Sequence, residues 1–245
     1  NILTDPQFSD RASPVSFAGP MRARKPALAL TELPRIDWVV ISHNHYDHLD
    51  LPSLKALEDR FHPRFVVPLG NAELLREEGI SQVLELDWWQ EVKNLELEKQ
   101  GASIQLLPAQ HWSARGLGDR NRALWGSYLL TLSGKRIYFA GDTGYGPHFR
   151  AIREKIGPMD LSLLPIGAYE PRWFMKDQHM NPEDAVRAHQ DLGSRQSFAI
   201  HFETLQLTDE GFEEPRAALA EALKSAKIPT ESFFAPQLGE TLILR

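Results

Sequence analysis

The chain has 245 residues, with 27 Lys plus Arg against 33 Asp plus Glu and a formal net charge of −6. That balance argues against nucleic acid as the main partner, which requires a basic footprint. Apolar residues are 42% and charged residues 24%, which is globular composition, and no apolar run approaches the ~18 residues of a membrane span. Cysteine is absent, so disulfides, thiol nucleophiles and Fe–S clusters are excluded, and any metal must be held by His, Asp or Glu. No repeat, low-complexity tract or linker divides the sequence, so a single domain over residues 1–245 is expected. The first residue is Asn, and Ile2-Leu3 reads as the tail of a strand. The expectation is therefore a chain that lacks its first strands.

In chain order, residues 36–42 (IDWVVIS) read as a buried strand. Residues 51–61 read as a helix with Leu51, Leu54, Leu57 and Phe61 near one face. A strand at 65–67 and a helix at 71–78, closed by Gly79, follow. Strands are predicted at 83–87, 103–109 and 125–132, and Ser133-Gly134 turns the last into a hairpin with 136–140. A helix over 149–156 stops at Gly157, and 161–166 is a strand. Asn181 is a candidate N-cap with Pro182 at the first helical position, and Gly193 closes that helix. A strand at 197–200, a helix at 213–223 and a final strand at 241–244 complete the chain. About eight strands and five helices, with both hairpins and crossovers, predict an α/β (α+β) protein with mixed sheets covered by helices. Residues 9–33 and 167–180 carry no clear period. Long irregular segments in compact domains are usually functional or disordered, and the aromatics of 167–180 favour order.

The strongest feature is His43-Asn44-His45-Tyr46-Asp47-His48, directly after the first buried strand. In extended chain, alternate side chains share a side, so His43, His45 and Asp47 can converge while His48 faces a second point. Zinc takes about three or four protein ligands per ion, so this segment suggests two half-built sites. Three later strands run out at His111, Asp142 and His201, and strand ends share one edge, where open α/β sheets place their sites. His43, His45 and His111 would form one site, and Asp47, His48 and His201 the other. Asp142 has two carboxylate oxygens to bridge them. Asp5 follows a strand at the same edge and is expected to support a ligating imidazole. His62 and His189 are expected on the surface or in packing, while His179, just before a helix, is a candidate for function. Two ions about 3.5–4 Å apart are built for hydrolysis. No P-loop, GxGxxG or GxSxG motif competes with that reading.

The blocks LTDPQFSDRASP, VVISHNHYDHLD, VPLG, ELDWW, QHW, LWGS, FAGDTGY, PIGAYEPRWFMK and QHMNPEDAVR cover nearly the whole chain. Together they resemble the N-acyl-phosphatidylethanolamine-hydrolysing phospholipase D family of the metallo-β-lactamase superfamily. HxHxDH marks only the superfamily, whereas AGDTGY, PIGAYEPRWFM and the QH before the next helix are far more specific. The resemblance implies an αββα sandwich of two mixed β-sheets flanked by helices. It implies two Zn2+ per chain and a phosphoric diester hydrolase that releases an N-acylethanolamine and leaves phosphatidic acid. The family's metal ligands fall on the seven residues already chosen, and its phospholipid contacts on Tyr46 and His179. Asp142, Asp47 and His179 are thus the catalytic candidates. A homodimer at a membrane surface is also implied, with a cytoplasmic or peripheral-membrane location. After His201 the chain reads Phe202-Glu203-Thr204 in place of the more usual Trp-Gly-Thr, so the pocket wall there is expected to differ.

A lipid substrate suits other residues as well. Trp173, Phe174 and Met175 are candidates for an acyl channel or the lipid interface, with core packing as the competing reading. Arg22, Arg24 and Lys25 either meet anionic head groups or form a solvated basic turn. Trp88-Trp89 is expected in the core or a dimer interface. The competing functions are a soluble di-metal hydrolase of a lactone, nucleotide or small phosphodiester, and a non-enzymatic metal-binding module. The intact ligand set disfavours the second.

Overall fold

Near-continuous apolar runs such as Trp38–Val40 give each central strand two faces to bury, and the chain satisfies both with one sheet against another and helices outside. The structure is a computed structural model that describes residues 1–244. Strands β1 (Ile2–Thr4), β2 (Trp38–Val40), β3 (Arg64–Pro68) and β4 (Val83–Leu86) form a sheet in that order, parallel throughout. The second sheet has the order β10-β9-β8-β7-β6-β5. Its strands are β5 (Ser103–Leu107), β6 (Ser127–Leu132), β7 (Lys135–Phe139), β8 (Leu161–Pro165), β9 (Gln196–Ile200) and β10 (Phe233–Phe234). Only β6 runs against its neighbours there, so this sheet is the mixed one.

Three apolar clusters record the layers. Val39, Phe65 and Val67 pack with Leu54 and Leu57 of helix α1 (Leu51–Phe61) and with Ala72 and Leu75 of α2 (Ala72–Glu77). The opposite faces, Trp38, Val40 and Val66, meet Leu106, Tyr128, Leu130 and Phe139 of the second sheet. Beyond that sheet, Tyr138, Leu164 and Ala199 pack with Phe149 of α4 (His148–Ile156), Val186 of α6 (Pro182–Leu192) and Leu219 of α7 (Glu214–Ala226). The layers therefore run α-β-β-α. Helix α6 is capped as its sequence predicts. The Asn181 side chain accepts from Asp184 N at 2.9 Å, and Gly193 closes the helix at φ 60°.

The short helices α3 (Leu95–Lys99) and α5 (Arg172–Met175) fall in stretches that show no helical period, because one turn is too short to display one. The strand expected at 241–244 does not form; the last ladder is β10 on β9. Residues 9–33 are irregular apart from isolated bridges and a 3-10 turn at Leu30–Glu32.

Because β6 alone is reversed, β5, β7, β8 and β9 all end at the same edge. Tyr128 crosses between the sheets, and its hydroxyl donates to Ile41 O at 2.9 Å, fixing the exit of β2. His43 leaves β2, His111 follows β5, Asp142 follows β7 and His201 follows β9. The fold thus brings four sequence-remote segments to one place.

Candidate metal centre

The HxHxDH segment begins extended and then coils. His48 N and Leu49 N both donate to His45 O, at 3.1 and 2.8 Å. His43 and His45 therefore share a side, as alternation predicts, while the turn carries Asp47 with His48 to the other side. Extended geometry alone would have sent Asp47 to the first group.

Two donor groups result. In the first, His45 Nδ1 lies 2.9 Å from His43 Nε2 and 3.2 Å from His111 Nε2. In the second, His48 Nε2 lies 3.3 Å from Asp47 Oδ2 and 3.1 Å from Asp142 Oδ2, and His201 Nε2 lies 3.2 and 3.3 Å from the same two oxygens. Two donors each about 2.05 Å from one tetrahedral ion are about 3.3 Å apart. The contacts of the second group match the edges of such a tetrahedron, and those of the first are close to it. Asp142 also forms a cluster with His111 and His179 in which donor atoms lie within 4.8 Å of one another, so it stands between the groups. His48 Nε2 and Asp142 Oδ1 are buried without a hydrogen-bond partner. Buried polar atoms left bare are rare in folded proteins, and here a cation would satisfy them. The residues fit a bound metal.

Electrostatics divide the groups. Burial pushes His43 and His111 well below the ordinary imidazole range and His45 down to about 4, so all three are neutral with free lone pairs at neutral pH. For His48 and His201 burial acts in the same direction, but Asp142 and Asp47 overcome it and raise both. Burial would raise the Asp47 and Asp142 carboxyls; the adjacent His48 and His201 hold them well below their usual range instead. The carboxylates are thus ionised and the first imidazoles deprotonated, the states that metal ligation requires.

Neighbouring groups orient the rings. Asp5 Oδ2 lies 2.6 Å from His48 Nδ1, leaving Nε2 for the cluster. The backbone oxygen of Gln178 lies 2.9 Å from His111 Nδ1; the sequence gives no signal for this contact, because a carbonyl carries no residue identity. His201 adopts φ 57°, the left-handed region. Its carbonyl is approached so closely by Gly167 that a Cβ there would sit 2.2 Å away, which is why only glycine fits.

Of the residues expected to meet substrate, His179 reaches the centre. Its buried Nδ1 has no hydrogen-bond partner and lies 3.8 Å from Asp142 Oδ2. Tyr46 is tied to the loop that carries Arg115. Its hydroxyl donates to Arg115 O at 2.7 Å, and the Arg115 guanidinium covers its ring at 4.0 Å. The hydroxyl is therefore already engaged, for a tertiary reason that local alternation does not reveal. Arg115 also donates to Asn44 O and Leu49 O, at 2.9 and 2.8 Å, clamping the ligand turn.

Two cavities adjoin the segment. One of about 330 Å³ touches Asp47, His48 and His201 and is walled by Ile200, Phe202 and Phe212. The other, about 810 Å³, is lined by Asn44, Tyr46 and Arg115. Trp173 and Phe174 line neither; at 80% and 57% exposed they are also not core. Most of the basic loop is engaged internally. Arg22 donates to Gln7 and Ser9, and Arg24 pairs with Glu203 at 2.7 Å. Trp88 donates to Trp125 O, and His189 packs against Ser197 and Phe233, both as expected of packing residues. His62 is at the surface.

Residues 1–202 match the Beta-lactamase superfamily domain. The chain is 42% identical to N-acyl-phosphatidylethanolamine-hydrolyzing phospholipase D 1 of Caenorhabditis elegans, over 98% of this chain and 69% of that protein. It is 40% identical to the mitochondrial N-acyl-phosphatidylethanolamine-hydrolyzing phospholipase D of Saccharomyces cerevisiae, over 98% of this chain and 51% of that one. The chain thus spans between about half and about 70% of the length of these relatives. Among solved structures it is similar to an isothiocyanate hydrolase from Delia radicum gut bacteria (TM-score 0.74, 22% identity, 99% of this chain and 92% of that one). It is also similar to Igni18, a metallo hydrolase from Ignicoccus hospitalis (TM-score 0.68, 22% identity, 98% and 89% covered). The chain belongs to the N-acyl-phosphatidylethanolamine-hydrolysing phospholipase D family, metal-dependent hydrolases of the beta-lactamase superfamily.

Proposed function

We propose that this chain hydrolyses N-acyl-phosphatidylethanolamine at a phospholipid surface, with two zinc ions held by its His/Asp cluster. The observation that carries the reading is the pair of donor groups meeting at Asp142. His43, His45 and His111 would hold one ion, and Asp47, His48 and His201 the other, with Asp142 between them. Two ions there would lower the pKa of a water and polarise a phosphoryl oxygen. His179, bare at Nδ1 beside Asp142, is the donor for the phosphodiester. Water adds to phosphorus, the bond from phosphorus to the ethanolamine oxygen breaks, and that oxygen leaves with a proton. The chain has no cysteine and no serine in a nucleophile elbow, which favours direct hydrolysis over a covalent intermediate. Exposed Trp173 and Phe174 support contact with a lipid interface, where aromatic rings are favoured. Among the described residues no helix is long and apolar enough to cross a membrane.

The test is product analysis by mass spectrometry with N-acyl-phosphatidylethanolamine in mixed micelles in oxygen-18 water. The label is expected in phosphatidic acid. Label in the N-acylethanolamine hydroxyl would mean C–O cleavage and sink the mechanism. Turnover of soluble diesters without turnover of the micellar lipid would sink the substrate.

His179 and Tyr46 separate in the same assay. His179→Ala should keep its metal and its melting temperature while kcat/KM falls roughly tenfold or more, about 1.4 kcal/mol of transition-state stabilisation. Tyr46→Phe should lose about 1 kcal/mol of stability, the worth of one hydrogen bond, with kinetics close to wild type. The reverse pattern would return the phosphodiester contact to Tyr46.

A further inference from the structure

A metal-binding imidazole presents one bare nitrogen, and the partner of its other nitrogen decides which one that is. In this protein a single carboxylate reaches an imidazole in each donor group. Asp5 Oδ2 lies 2.6 Å from His48 Nδ1 and accepts from Ser42 Oγ at 2.5 Å. Ser42 Oγ also lies 2.9 Å from His43 Nδ1. A hydroxyl has one proton to give and a carboxylate only accepts, so the Ser42 proton goes to Asp5. The Ser42 lone pair is then left to take His43 Nδ1–H. Both rings thereby turn a bare Nε2 toward their groups.

The local backbone is built around this hydroxyl. Ser42 is fully buried, its N–H donates to Asp5 Oδ1 at 2.7 Å, and its carbonyl accepts from Gly126 N at 2.9 Å. Gly141, at φ +59°, passes so close that a Cβ there would lie 2.3 Å from Ser42 Cβ.

We propose that Ser42 is a positioning residue that extends the hold of Asp5 on His48 to His43, so that one carboxylate orients a ring in both halves of the centre. This rests on the metal reading above. The substitution Ser42→Ala removes the hydroxyl but keeps the backbone N–H on Asp5, so Asp5 stays anchored against His48. The effect should therefore be confined to the first group. Asp5→Asn should weaken both. With its oxygen on Ser42 N, the amide would turn an N–H toward Ser42 Oγ and toward His48 Nδ1–H, donor against donor.

The experiment is cobalt(II) titration of the metal-free protein, followed by visible absorption and by the hyperfine-shifted imidazole N–H signals in proton NMR. In wild type, both the His43 and His48 N–H signals should be slow to exchange. In Ser42→Ala the His43 signal should exchange rapidly, and the first group's affinity should fall about 10-fold or more, within the range for partners of a ligating histidine. The second group should stay within about twofold, which also reports that the fold is intact. Equal loss in both groups, or an unchanged His43 signal, overturns the proposal. A wild-type protein that takes up no cobalt overturns the metal reading itself.

Discussion

Asp142→Asn is expected to lower hydrolysis by at least about 100-fold, or about 2.7 kcal/mol of transition-state stabilisation, and to lower the metal content per chain. Asparagine keeps the shape but removes a full charge from a position that lies 3.1 Å from His48 Nε2 and 3.3 Å from His201 Nε2. It also leaves Asp47 as the sole carboxylate of its group. An amide nitrogen facing either imidazole would compete with a cation for the same space. Elemental analysis and steady-state kinetics on the purified variant check this. Near-normal turnover with full metal content would remove Asp142 from the centre.

On the di-zinc proposal, chelation is expected to lower the melting temperature by roughly 8–16 °C and to abolish turnover, with added zinc restoring both. A ligand at about a thousand times its dissociation constant stabilises by about 4 kcal/mol, and a chain of this size shifts by about 2–4 °C per kcal/mol. The metal-free protein should stay folded, because His48 and His201 can take up protons beside Asp47 and Asp142. That substitute is pH-dependent. Both imidazoles are raised in the folded chain, so their contribution is complete below the ordinary imidazole pKa of about 6.5 and is lost as pH climbs through the raised values. The gap between loaded and chelated protein should widen from pH 6 to pH 9. A differential scan across that range that shows a constant or shrinking gap would contradict the assignment of these two rings.

The cluster was legible because its chemistry is concentrated. Four candidate ligands stand in six residues, and the others follow recognisable apolar strands, so the edge rule sufficed to gather His111, Asp142 and His201. Its local geometry was not legible. Alternation alone lines Asp47 up with His43 and His45; the grouping of Asp47 with His48 and His201 expected from the ligand count is the one that forms, through a turn closed at the His45 carbonyl. The tie of the Tyr46 hydroxyl to the carbonyl of Arg115, 69 residues away, leaves no trace in the local sequence. The basic loop was ambiguous for a similar reason, since Arg24 pairs with Glu203 across 179 residues. In the fold, Leu54, Leu57, Phe65 and Val67 announce their elements through period alone. The segment 241–244 has strand composition but no ladder partner, while Phe233–Phe234 is too short to be recognised and pairs with β9.

The two sheets are consecutive in the chain: β1 to β4 lie before residue 87, and β5 to β10 after residue 102. The candidate ligands split along the same seam. His43, His45, Asp47 and His48 come from the first half, and His111, Asp142 and His201 from the second. Each donor group draws on both halves, so neither half owns a complete site. An ion in either group would then cross-link two otherwise successive pieces of chain, closing long loops as a disulfide would in a protein that has no cysteine. A bound ion would thus hold together two halves that the metal-free chain already docks, adding stability to that seam rather than creating it.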